Sequence, residues 1–363
     1  MSRDLDIGVT SLSDLQPVTA DGARRTPHQR VEQIVSLAVL ADELGLDHFG
    51  LGEHHNADFV VSSPAAVLSA IAARTSRLRL TSSVTTLGAL DPVRVYQDFA
   101  TLDLVSGGRA EIIVGRSAYP EPFALFGVDI ADYDEAFREK LDLLLKIRAE
   151  PVVTWRGRYR PPLRDAVVMP RAIQEPLPVW LGVGGTPASA ARAGRLGLPM
   201  ILGYIGGTPA GLRQLADVYR EAGARAGHSD NLRLGVALHY FGTSRARDPM
   251  SLYPYYRDFL RPKRPGAPGF VVEREQFALG LRPGQHLMIG TPEQVAEKLA
   301  ALYEAVRFDR VHALIDWGGL PEDAVRESLH RLGETVAPAL RRHVAPGGAA
   351  AGRQVRRVPS ALS

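Results

Sequence analysis

Residues 47–82 read DHFGLGEHHNADFVVSSPAAVLSAIAARTSRLRLTS, and the order of signals within them decides the fold. The first six residues are a short apolar run that the pattern predicts as a strand, 47–52. A polar loop follows. Ser63 and Pro64 then open a helix, because the fixed φ of proline suits a first helical turn. That helix is expected to run to Arg74, and residues 78–82 form the next strand. A strand, a helical crossover and a second strand are what a parallel pair needs, since such strands cannot be joined by a tight turn.

The same alternation extends in both directions. Upstream, residues 5–10 read as a strand and a helix begins at Pro27, with Val31, Ile34, Val35, Ala38, Ala41 and Leu44 at helical spacing and Gly45 as its stop. Downstream, Pro92 starts a helix with Val95, Phe99 and Leu102 on one side. Residues 110–114, 178–183, 199–202, 232–239 and 310–315 follow as strands. The intervening helices are 133–148, 187–196, 211–225 and 291–306, with 321–342 closing the series. Eight strands alternating with eight helices predict the α/β class and a (β/α)₈ TIM barrel over residues 1–344. A doubly wound dinucleotide-binding sheet would need G-x-G-x-x-G after an early strand, and none follows residues 5–10. Residues 151–176 read as irregular. Residues 241–290 form an insertion between strand 7 and helix 7, either a lid over the mouth or a plain surface excursion. The tail, 345–363, has little to bury and is expected to be disordered.

Bulk composition narrows the functional classes. Of 363 residues, 45% are hydrophobic and 23% charged, the balance of a globular protein with a large core. There is no cysteine, which excludes disulfides, thiolate metal sites and a cysteine nucleophile. No apolar run suits a membrane span and the start lacks a signal-peptide core, so a cytoplasmic location is expected. The sequence pI is about 9.2, yet the net charge is only +3. The arginine clusters near Arg341 and Arg356 are short and carry no aromatic residues for base stacking, so nucleic-acid binding is not expected.

In such a barrel, reactive groups sit where strands end. The successive strand ends here offer Glu53–His54–His55, Ser82 to Thr86, Gly115–Arg116–Ser117 and Gly184–Gly185–Thr186. The last precedes Pro187 at a helix start, where glycines admit close backbone approach and the helix N-terminus favours an anion. With Arg116 from the neighbouring strand it makes a candidate phosphate cradle; a plain tight turn is the other reading. His54 and His55 admit three roles: metal ligand, structural histidine, or acid–base group with an ordinary pKa of about 6.5. No third ligand is evident at metal spacing, and no metal is expected. There is no G-x-S-x-G elbow and no H-E-x-x-H.

Taken together these motifs resemble a known family. GLGEHHNADFVVSSP at 50–64, DPVRVYQDFATLDLVSGGR at 91–109, the GR…FG element up to 127, PVWLGVGGTPASAARAGRLGLPMIL at 178–202 and IGTPEQVAEKLAAL at 289–302 keep the order and spacing of luciferase-like monooxygenases. The resemblance spans roughly residues 5–342 and implies a barrel that binds FMN, in the reduced form delivered by a separate flavin reductase. It implies addition of O₂ to give a flavin C4a-hydroperoxide that oxidises a small organic substrate, and a homodimer. His54 matches the proton-handling histidine, Arg116 a phosphate-binding arginine, and Gly184, Gly185 and Thr186 the phosphate loop. Ser83 and Val84 match a segment that often carries a non-prolyl cis peptide beneath the flavin, and Tyr133 falls near the phosphate. Gly115 stands where luciferase has a cysteine, Asp134 where it has a second phosphate-binding arginine, and Ser117 where many relatives have glycine. Light emission is therefore not expected. Relatives that use the deazaflavin F420 for hydride transfer, and non-catalytic flavin-binding barrels, are the alternatives.

Overall fold

The computed structural model describes residues 5–345 apart from 17, 21 and 264–268. The predicted tail beyond 345 and residues 1–4 lie outside the described residues. The chain enters through β1 (Asp6–Ser11), α1 (Pro27–Glu43), β2 (His48–Leu51), α2 (Pro64–Ala72), β3 (Arg79–Ser82) and the two-residue β4 (Thr85–Thr86). Next come α3 (Pro92–Ser106), β5 (Ala110–Gly115), the short α4 (Glu121–Leu125), α5 (Tyr133–Ala149), β6 (Val152–Trp155) and β7 (Leu163–Val167). β8 (Val179–Val183), α6 (Pro187–Arg195), β9 (Met200–Tyr204), α7 (Pro209–Arg225) and β10 (Leu234–Gly242) continue the alternation. It ends with α8 (Tyr253–Leu260), α9 (Arg274–Leu281), β11 (Met288–Gly290), α10 (Pro292–Val306), β12 (Arg310–Leu314), α11 (Glu322–Arg331) and α12 (Ala337–Val344).

Eight of these strands pair in parallel in the order β1, β2, β3, β5, β8, β9, β10, β12, and β12 returns to β1 with Asp6 opposite Arg310 and Thr10 opposite Leu314. The sheet is a closed barrel, the predicted TIM fold. Its helices begin where the sequence marks them. α1 has a full capping box, in which Thr26 and Gln29 each accept the other's backbone N–H. α3 is capped by Asp91 on the N–H of Val93 at 2.8 Å and stops at Gly107, whose φ of 69° is left-handed.

The barrel interior is layered. At the N-terminal ends of the strands, buried Arg310 meets Glu111 at 2.5 Å and Asp6 at 2.9 Å, while Arg79 meets Glu111 at 2.6 Å. The Arg310 guanidinium lies 4.4 Å over the Trp180 ring. Burial alone would raise the Glu111 carboxyl, but Arg310 and Arg79 bring it down to about 2. Above this layer the rings of His48 and His312 pack 4.1 Å apart, and His312 Nδ1 lies 3.2 Å from Thr10 Oγ1. Towards the C-terminal ends, Ile113, Trp180 and Ile201 pack with Val84 and Ala237.

One sequence expectation needs correcting. Residues 151–176 are not wholly irregular: β6 and β7 form an antiparallel hairpin outside the barrel, with Val152 opposite Val167. The hairpin is largely exposed, so it lacks the apolar alternation by which a half-buried strand is recognised. The expected insertion at 241–290 holds, in its described residues, α8, α9 and β11, and β11 pairs with the end of β10. The helix expected at 321–342 runs unbroken from Glu322 to Val344, with a π-helical stretch at Leu332–Val336. Pro338 has no N–H for the Glu334 carbonyl, and the wider turn accommodates that gap.

Candidate active site

The site is built from the strand ends upward. β5 ends at Gly115 and β8 carries Gly182, and between them sits the side chain of Val84. A Cβ placed on Gly115 would lie 2.5 Å from Val84 Cγ2, and one on Gly182 would lie 3.0 Å from Val84 Cγ1. The glycines leave room for Val84 to cover the apolar top of the barrel interior. The Ser83–Val84 peptide is cis.

On the β2 side, His54 turns one way and Glu53 and His55 the other, as alternation along an extended chain requires. The His54 ring stacks on Phe59 at 3.6 Å with an 8° interplanar angle, and Tyr119 approaches both rings edge-on at 5.6 Å. Its Nδ1 is buried without a hydrogen-bond partner. Burial, then the neighbouring His55, push its pKa down to about 3 against an opposing hydrogen bond with the Leu12 backbone, so the ring is neutral at pH 7. His55 turns elsewhere: its Nε2 lies 2.9 Å from Glu53 Oε1, and Phe126 meets its ring edge-on. The same Glu53 oxygen accepts the Thr86 hydroxyl and, at 3.3 Å, the Thr86 N–H. Glu53 thus latches the end of β2 to β4. His55 and Glu53 border a cavity of about 500 Å³ that also involves Thr85, Asp91 and Lys140. Among the described residues, no three His, Asp or Glu side chains gather as a metal site.

The predicted phosphate residues come together at the ends of β5 and β8, which are adjacent strands. Gly184 and Gly185 lead into α6, and a Cβ on either would meet nothing within 4 Å. Gly185 has a φ of +124°, which side-chain-bearing residues rarely adopt. Thr186 is the N-cap of α6 but its side chain makes no capping hydrogen bond, leaving that helix end open to an outside acceptor. Arg116 points its Nη1 at Asp134 Oδ1, 2.5 Å away, and lies 5.3 Å from the Tyr133 ring centre. Tyr133 donates its hydroxyl to the carbonyls of Ser117 and Arg116, at 3.1 and 3.3 Å, so it holds the loop that carries Arg116. Arg138 and Arg192 complete the group. Arg192 loses basicity chiefly through burial and then through the charge of Arg138, with Asp134 opposing and Arg116 adding to the loss.

The third wall combines β10 with the insertion. His239 is buried at the C-terminal end of β10, ringed by Tyr256, Phe259 and Trp317, and Tyr256 Oη lies 3.4 Å from its Nδ1. Burial first, then His286, lower its pKa to about 3. Trp317 is fully buried and donates its indole N–H to the Tyr240 carbonyl at 3.4 Å. Tyr204 is buried with an unpartnered hydroxyl, and burial pushes that group up to about 12.

Sequence reasoning found the strand-end residues but missed their neighbours. Glu53 stands within the EHH run, but the run gives no sign of its bond to Thr86. Phe59 and Tyr119 carry no periodic signal, and Arg138 and Arg192 lie on helix surfaces where arginine is the ordinary solvated residue.

Comparison with known proteins follows the same lines. The model of the luciferase-like monooxygenase family matches residues 7–310. The chain spans about half the length of the first curated relatives it matches. It is 26% identical over 289 residues to the N-acetyl-S-alkylcysteine monooxygenase of Bacillus subtilis strain 168, covering 78% of each protein. Among solved structures, it resembles the oxygenating constituent of 3,6-diketocamphane monooxygenase from Pseudomonas putida, in complex with FMN, with a TM-score of 0.73 and 20% identity over 93% of this chain and 98% of that one. It also resembles an F420-dependent secondary alcohol dehydrogenase, with a TM-score of 0.71 and 17% identity over 93% and 99% of the two chains. At these identities the structures speak to the fold, while the family match reaches from β1 to the first residue of β12. The chain belongs to the luciferase-like monooxygenase family.

Proposed function

We propose that the protein is a flavin-dependent monooxygenase that binds reduced FMN across the C-terminal mouth of the barrel and oxidises a small organic substrate with O₂. The observation that carries this reading is one juxtaposition: an uncapped helix N-terminus behind Gly184 and Gly185, next to Arg116, beside a floor kept low by Gly115 and Gly182 under Val84. The donor set fits a phosphomonoester, since N–H groups and a guanidinium both donate and neither needs deprotonation. The low apolar floor fits a flat ring.

Reduced flavin, supplied by a separate reductase, would bring the electrons and the reactivity towards O₂. The chain's own residues do the rest. Arg116, Gly184, Gly185 and Thr186 bind the phosphate, and Tyr133 keeps the Arg116 loop in place. Val84 supports the ring from below. His54, neutral and with Nδ1 free, accepts a proton or a hydrogen bond at that atom, and Phe59 fixes the plane of its ring. The insertion, seated on His239 through Tyr256 and Phe259, excludes water from the strand ends.

Anaerobic titration with reduced FMN, followed by mixing with oxygenated buffer, tests the proposal. Saturable binding and O₂ consumption are expected. Failure to bind reduced FMN, with tight binding of F420 and hydride transfer without O₂ uptake, would overturn it in favour of the deazaflavin reading, which the F420-dependent dehydrogenase of the same fold keeps in view.

A further inference from the structure

Asp134 sits where a second cation would help a phosphate, and its surroundings give it a different part. It lies in the first turn of α5, a position that suits any carboxylate near the positive end of a helix. Its neighbours go beyond that. Arg116 approaches its Oδ1 at 2.5 Å, Arg138 donates to its backbone carbonyl at 3.2 Å, and its charge is felt by Arg192 across from α6. Asp142, also on α5, faces Arg192 as well.

The two partners of the ion pair are held unequally. The Arg116 side chain is 24% exposed, carried on a loop whose two carbonyls are bound by Tyr133 and with its guanidinium beside the Tyr133 ring. The Asp134 side chain is 55% exposed. The arginine is therefore the more enclosed member of the pair and the carboxylate the more solvent-exposed one. A phosphate arriving from Gly184 and Gly185 would meet the Arg116 guanidinium with Asp134 already on its Nη1, and two anions drawn to one cation repel each other.

We infer that Asp134 is a built-in competitor for the cofactor phosphate: it holds Arg116 until a phosphate displaces it, and so lowers the preference for phosphorylated over unphosphorylated flavin. The inference rests on the flavin reading above. Its consequence is a cofactor that exchanges readily, as suits a protein supplied with reduced flavin by another enzyme.

The test is fluorescence titration of wild type, D134N and D134A with FMN and with riboflavin, with inorganic phosphate as a competitor. In D134N the Kd for FMN is expected to fall roughly tenfold, about 1.4 kcal/mol, while the Kd for riboflavin stays within twofold. The Ki of inorganic phosphate as a competitor should likewise fall roughly tenfold in D134N. An unchanged or lowered FMN-to-riboflavin preference in both variants overturns the inference while leaving the flavin reading intact. If none of the three proteins binds either flavin, the flavin reading fails and the competitor falls with it. D134A, which removes the acceptor altogether, guards against the asparagine bridging to Arg116 in the aspartate's place.

Discussion

Replacing Gly115 by alanine is expected to disturb the floor of the site more than a single methyl would elsewhere on the barrel. The added Cβ would stand 2.5 Å from Val84 Cγ2 and 3.1 Å from Val84 Cβ. Carbon pairs settle at about 3.5–4.0 Å, so Val84 must retreat by about 1 Å. Its β-branched side chain has little rotational freedom with which to do so. Gly182 on the far side carries no side chain, but Ile113, Trp180 and Ile201 pack with Val84 there, so the cost should fall within the about 1–3 kcal/mol usual for overpacking. The displaced valine would also raise or tilt the surface on which the ring rests. Urea denaturation should therefore show a lower midpoint, and flavin titration should show weaker binding of FMN and riboflavin alike, because the phosphate residues are untouched. V84A in the same chain should restore most of both losses. G115A with wild-type stability and unchanged affinity for both flavins would refute the reasoning, as would a V84A partner that restores nothing.

Acid sensitivity is the second expectation. His239 and His312 are held neutral chiefly by burial, with pKa values of about 3, and His48 is likewise well below its ordinary value. The unfolded chain takes up protons at these sites below about pH 6.5 and the folded chain does not. Stability should thus be intact above that pH and decline as it falls towards 3, by about 1.4 kcal/mol per pH unit for His239 and for His312, with His48 acting in the same direction. Urea midpoints measured from pH 7 to pH 5 check this; a flat profile would count against it, and H312L should shallow the slope. Thirdly, H54A should cut product formation by about 100-fold, within the range for lost acid–base assistance, while the FMN Kd moves less than twofold. Since His54 stays neutral down to about pH 3, the wild-type rate profile should show no inflection from it near pH 6.5, and rescue of H54A by imidazole would support its role.

Much of the barrel was legible because burial on both faces writes itself into the chain. Strands such as residues 110–115 are nearly continuous apolar runs, and the helices between them open at Pro27, Pro64, Pro92, Pro187 and Pro292, where proline costs no hydrogen bond. What stayed hidden has other causes. The hairpin at Val152–Trp155 and Leu163–Val167 is held by its own ladder, and half-exposed strands have no distinctive composition. The π-turn reflects a proline within an otherwise good helical pattern. At the site, His54, Arg116 and Gly184 could be placed by their positions after strands, but the stacking of His54 on Phe59 and the seizure of Arg116 by Asp134 are matters of side-chain direction that spacing does not encode.

Closing the ring has a consequence for how the chain is made. Asp6 and Arg310, which pair across the seam of β1 and β12, are 304 residues apart, and no earlier strand can substitute for β12 beside β1. A chain emerging in order from the ribosome must therefore carry seven parallel strands with two unsatisfied edges, on β1 and β10, until nearly its last helices appear. Those edges are a template for wrong pairing with another chain. Joining the ends and opening the chain at the exposed hairpin between β6 and β7 would make the seam an early, local contact, and the order of assembly would change while the native barrel did not.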